Sequence, residues 1–351
     1  MPNTHQNTRQ NTRNAEIDIL RGICAISIIM IHTTFWSGGA YVPWVVQSLS
    51  LLLDVPAFFF IAGASVAYTQ KLQPTKVLYK MILYFGTTLL VYDIVQSLIT
   101  RTFDFHATLS ALGLHGFSTP LLPTLGGSYW FVPVFCAVSI IAAIIVQYLP
   151  KAIMGFIIGG LGLYVVGYFV GFAVGGKFLH TSFNYCIFYT SLYLLGYVFV
   201  QRRYFQSHRF ALSLIAIGSL GFILVWLLKP HAQFFVLQSS KFPVSLPYVL
   251  ASLFGIGLLV STWNLWSRIW ANKGGGLCTR LFIFAGQNAI YFYIAQGISS
   301  SLLLQIAPQI QLFWLPKLML CFCINFILCL VFVYILKIFF AYIESALQKL
   351  R

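Results

Sequence analysis

Residues Asp18 to His32 place an arginine and a histidine in one apolar segment, with ten residues between Arg21 and His32. Eleven helical steps of about 100° return to within about 20° of the start, so the two side chains share a face about 16 Å apart along the axis. Ionisable groups inside apolar spans are costly and face the protein interior. A cation near one surface and an imidazole deeper in would hold a charged donor and carry out proton chemistry on it.

Acidic residues are scarce: Glu16, Asp18, Asp54, Asp93, Asp104 and Glu344. Asp54 and Asp93 interrupt apolar runs, where a carboxylate costs about 2.5–3.5 kcal/mol unless it is paired, protonated or hydrated. With the amino terminus inside, His32, Asp54 and Asp93 fall in the outer half of the first three spans, within about 10 Å of depth of one another. A carboxylate beside an imidazole fixes its tautomer and stabilises its conjugate acid, which suits a general base. The competing reading of each residue is a hydrogen bond between packed helices. Arg21 has two readings as well: a snorkelling side chain paired with Asp18, or an anchor for donor phosphates.

Elements must position these groups. The chain is 59% hydrophobic and 8% charged, with mean hydropathy +0.86, against about 25% charged residues in a soluble domain. The apolar runs are continuous rather than alternating, which excludes a β-barrel. The fold expected is all-α and polytopic, with ten spans at about 17–36, 45–69, 77–99, 128–148, 152–173, 183–200, 210–228, 247–266, 280–304 and 316–340. Residues 1–15 read as a disordered polar tail without a signal peptide, and 16–351 as one ten-helix domain. Ten spans put both termini on one side. With that side cytoplasmic, only Arg101, Lys177, Lys229, Lys241 and Lys317 of the 21 Lys and Arg fall outside, as the positive-inside rule requires. The charge of +15 is therefore topological and does not call for nucleic acid. Seven cysteines, mostly within or beside apolar runs, do not make a disulfide framework, and no nucleotide, zinc or serine-elbow motif is present.

Arg-x10-His preceded by Asp18-Ile-Leu-Arg21-Gly22 resembles the first span of the membrane acyltransferase-3 family, which moves acyl groups, usually acetyl, from coenzyme A to envelope sugars. A related pattern occurs in heparan-α-glucosaminide N-acetyltransferase-like membrane proteins. Phe58-Phe-Phe-Ile-Ala-Gly63 resembles the family's Phe-rich stretch ending in Ser-Gly, with alanine in place of serine. Lys71, Lys76 and Lys80 stand where the family often has arginines. Gly127-Ser-Tyr-Trp-Phe-Val-Pro133 resembles its aromatic opening of a central span. Phe284 to Gln296 resembles Gly-x-x-Ser-x-x-x-Tyr-x-x-His, with Gly286 and Tyr293 matching and Gln296 replacing the histidine.

The resemblance implies a membrane-bound, acetyl-CoA-dependent O-acyltransferase. It gives His32 the role of general base or transient acyl carrier, with Asp54 or Asp93 orienting it. Arg21, helped by Lys76 and Lys80, would hold the acyl-CoA phosphates, and Tyr129 and Trp130 would stack on a sugar, although an interfacial aromatic belt also explains that pair. Acetyl-CoA would be a co-substrate, and no metal is called for because the thioester is already activated. The acceptor would be a glycan or glycolipid, in contact with membrane lipids of a bacterial inner (plasma) membrane. The oligomeric state stays open, a homodimer included. The rivals are a proton-coupled transporter or flippase, with Asp and His as a relay, and N-acetylation of a sugar amine.

Overall fold

The computed structural model describes residues 14–38, 41–70, 72–102, 104–105, 109, 119–172, 174–178, 181–230, 234–271 and 276–349. The polar tail up to residue 13, Lys71, and the loop residues His106, His115, His180 and His231 lie outside them.

Among the described residues ten helical segments are long and apolar enough to cross a membrane, in the order the sequence predicts. The first is α1 (Ala15–Trp36). Its start is fixed by Asn14, whose side chain accepts from the Ile17 amide at 2.8 Å, and by Glu16 and Asp18 in the first turn.

The second span is broken. After α2 (Trp44–Ser50) and a 3₁₀ turn (Leu51–Leu53), the backbone becomes extended at Asp54 and restarts as α3 (Val55–Thr69). Pro56, in the first turn of α3, has no amide and its ring clashes with a preceding helical turn, so a helix begins here but does not run through. Ser27 of α1 donates to the Leu53 carbonyl at this break.

The third span joins α4 (Pro74–Met81) to α5 (Thr87–Thr100) through a π-helical turn, Ile82–Gly86. There follow α6 (Pro123–Ser128), α7 (Phe131–Tyr148), α8 (Ile153–Val170), α9 (Phe183–Gln201), α10 (His208–Leu228), α11 (Leu246–Ser261) and α12 (Trp263–Ala271). A two-residue hairpin, β1 (Lys177–Phe178) with β2 (Thr181–Ser182), precedes α9.

The ninth span expected at 280–304 is displaced. Residues Leu277–Gln287 form a separate helix, α13, and the chain turns at Asn288 before α14 (Ala289–Ile306). Asn288 donates to the Phe284 carbonyl at 2.7 Å, capping α13 rather than bridging to another helix. The last helix is α15 (Trp314–Lys349).

The most apolar stretches of α9 and of the α11–α12 span are 78% buried, against 17% for α8, so α9 and α11 are central and α8 is peripheral. Two crossings are closed by glycine pairs. A Cβ at Gly63 would lie 1.8 Å from the Tyr193 carbonyl oxygen, and one at Gly196 would lie 1.8 Å from that of Phe60, which fixes α3 against α9. Gly22 and Gly286 do the same for α1 and α13, with a Cβ at Gly22 falling 1.8 Å from the Phe282 carbonyl oxygen.

Three contacts tie the start of α1, the start of α14 and the end of α15 together. Gln287 donates to Asp18 at 3.4 Å near the start of α1. One turn on, Tyr291 lies 5.5 Å from the Tyr84 ring, and Tyr84 donates to Glu344 near the end of α15 at 2.5 Å.

Candidate functional site

A cavity of about 120 Å³ lies toward the other end of α1, walled by α1, α3, α6, α14 and the segment preceding α11. His32, Asp54, Trp130, Lys241 and Tyr293 contribute to its wall. His32 enters from the last two turns of α1. Its Nδ1 is buried and has no hydrogen-bond partner among the described residues.

Asp54 occupies the break in the second span, 1% exposed. The break explains how a carboxylate is accommodated there. Asp54 stands at the N-cap of α3 without capping it, so its charge meets the positive end of that helix and its oxygens stay free for other partners. Those partners are the Lys241 ammonium, 2.5 Å away, and the Tyr248 hydroxyl, which donates to the carboxylate at 2.7 Å. The expected contact between Asp54 and His32 is thus replaced: the carboxylate pairs with a lysine, and the imidazole is left unbonded at Nδ1.

Lys241 sits in a segment that folds into the bundle. Phe234, Leu237 and Val244 are buried as its apolar anchors. Ser48 of α2 donates to the Phe235 carbonyl at 2.8 Å. Asn184 of α9 clasps the Lys241–Val244 turn from both sides, donating to the Val244 carbonyl at 3.1 Å and accepting from its amide at 3.0 Å. These contacts hold Lys241 at 6% exposure, with its ammonium 5.5 Å from the centre of the Trp130 ring and 5.1 Å from that of Phe242. The sequence reading counted Lys241 as a loop charge outside the membrane. The available signal was its setting between Leu237 and Phe242-Pro-Val244, with few other charges nearby.

Other expected residues fall elsewhere. Arg21 stands eleven residues from His32 on an unbroken helix, bonded to Asp18 at 3.2 Å and to the Gly286 carbonyl at 3.5 Å. Lys76 and Lys80 are exposed on α4, and the Lys80 ammonium lies 6.0 Å from the centre of the Tyr84 ring, toward the same face as Arg21. Trp130 lines the cavity, whereas Tyr129 is buried in the packing around α1, α5 and α14 and does not. Asp93 is buried on α5 and is not part of the cavity wall.

Residues the sequence reading matched to family motifs have packing roles here. Gly63 and Gly286 are crossing points, and Tyr293 donates to the Ser128 carbonyl at 2.6 Å. Gln296 is 1% exposed and donates to the Tyr293 carbonyl at 3.0 Å, while its own carbonyl oxygen has no partner among the described residues. Asn325 joins three helices, donating to Thr33 of α1 at 3.0 Å and accepting from Ser299 of α14 at 2.6 Å.

A helical bundle of ten membrane-length spans, with a half-buried imidazole and a buried ammonium and carboxylate around a small cavity, defines an integral membrane protein. A family model described as an acyltransferase domain matches residues 14–334. The chain belongs to that family, acyltransferase-3, and is a membrane acyltransferase. No curated protein and no solved structure matches it.

Proposed function

We propose that this protein transfers an acetyl group from acetyl-CoA, bound at the cytoplasmic face where α1 begins, to a hydroxyl of a lipid-linked or envelope glycan that reaches the cavity from the other side of a bacterial inner membrane. The observation that carries this reading is His32: an imidazole with an unbonded nitrogen, on the wall of the cavity that Asp54 and Lys241 also line.

Arg21 is the donor anchor, with Lys76 and Lys80 available to the phosphates on the same face. The distance of about 16 Å from Arg21 to His32 along α1 suits an extended pantetheine arm that carries the thioester inward. Trp130 offers a ring face to the sugar. His32 takes the acceptor proton as oxygen attacks the thioester carbon, and returns it to the sulfur as the carbon–sulfur bond breaks. A route through acetyl-His32 uses the same residues.

The test uses purified protein in detergent with acetyl-CoA and either methyl glucoside or methyl glucosaminide. Wild type is expected to release coenzyme A and form an acetyl ester, and His32→Ala to lose at least 100-fold in rate. An amide product from the glucosaminide alone would replace O-transfer by N-transfer. Wild type that neither binds nor consumes acetyl-CoA removes the reading and returns the site to a proton-coupled transporter.

A further inference from the structure

The Asp54–Lys241 pair raises a question that an acid–base role for His32 leaves open: why a lysine is drawn from a loop into the bundle. Burying an ion pair costs desolvation that mutual attraction only partly offsets, and a hydrophobic pair of similar size often serves stability better. The pair is therefore weakly explained by stability alone.

The ammonium has three donors and, among the described residues, one hydrogen-bonding partner, Asp54. Its remaining surroundings are the rings of Trp130 and Phe242 and the cavity itself. Asp54, Tyr248 and the Asn184-clasped turn fix its position. A fixed cation with spare donors on the wall of a small cavity is the arrangement that stabilises developing negative charge. In thioester transfer that charge develops on the carbonyl oxygen.

We propose that Lys241 is a catalytic residue that receives the oxyanion of the tetrahedral intermediate. This rests on the acyltransferase reading above. The acceptor oxygen bonds to the thioester carbon, the carbonyl π electrons move onto oxygen beside the Lys241 ammonium, and the hydroxyl proton passes to His32. The electrons then return, the carbon–sulfur bond breaks, and the proton goes to the departing sulfur. Asp54 is a positioning residue in this scheme: it holds the ammonium rather than the imidazole.

The experiment compares acetyl-CoA with fluoroacetyl-CoA, using methyl glucoside as acceptor and coenzyme A release as readout. An electron-poor carbonyl depends less on external stabilisation. Lys241→Met is expected to lower kcat for acetyl-CoA at least 100-fold with KM changed less than threefold, and the defect is expected to shrink at least tenfold with fluoroacetyl-CoA. A purely structural role would lower both donors alike.

The double variant Lys241→Met/Asp54→Asn removes both charges and guards against misfolding of the single one. It is expected to purify as a folded protein and to keep the donor-dependent defect. An equal loss with both donors, or recovery of wild-type kcat in the double variant, overturns the assignment while leaving the acyltransferase reading intact. An inactive wild type removes both.

Discussion

Asp54 draws both partners from one distant stretch of the chain, Lys241 just before α11 and Tyr248 within it. Removing one member of such a buried pair leaves the other charge uncompensated, at a cost of about 3–5 kcal/mol. Asp54→Asn is thus expected to unfold at lower temperature than the Lys241→Met/Asp54→Asn double variant, which thermal unfolding of the purified proteins would read. Tyr248→Phe deletes one hydrogen bond to a carboxylate and is expected to cost about 1.5–3 kcal/mol with the ion pair retained. A Tyr248→Phe protein as stable as wild type would show that Lys241 alone satisfies Asp54. His32 and Asp54 were legible in the sequence because an ionisable group in an apolar run stands out. Lys241 was not, since a lysine in a loop costs nothing until the loop is known to fold inward. Asp93 is expected at the site on depth along its span, and Tyr129 on the family resemblance of Gly127 to Pro133. Depth does not fix the direction a side chain faces around the helix, and packing turned both away from the cavity.

Elements were legible as apolar runs, and all ten appear. The breaks were less so, because Leu51 to Ile61 reads as one run apart from Asp54 and Pro56, and Gly286-Gln287-Asn288 is a short polar interruption within the ninth run with no proline beside it. What decides the helix crossings is the absence of a side chain. Gly63→Ala would drive a methyl into the backbone of α9, where a rigid carbonyl has no rotamer to give. We expect little folded Gly63→Ala protein by size-exclusion chromatography. Gly155→Ala, whose added Cβ meets nothing within 4 Å, is expected to behave as wild type. Asn184→Ala frees the Lys241–Val244 turn while leaving the helix packing in place, so turnover of acetyl-CoA is expected to fall with the chromatographic profile unchanged.

For the molecule as a whole, the start of α1, the start of α14 and the end of α15 are joined by contacts, as an even number of spans leads one to expect. Burial of Lys241 removes it from the set of loop charges and so sharpens the charge asymmetry on which the expected orientation rests. A fluorescent protein fused after Arg351 is expected to fluoresce. Alkaline phosphatase is expected to be inactive there and active when inserted at 231–233; the reverse pattern would invert the topology and the proposed direction of donor entry.

The buried pair also has a calendar. Lys241 is synthesised 187 residues after Asp54, which at about 5–20 residues per second is a wait of roughly 10–40 s. By the time α9 is complete at Gln201, α1, α3 and α9 can assemble around a carboxylate whose cation does not yet exist. A nascent chain stalled before residue 241 carries that charge without the cation that pairs with it in the finished protein.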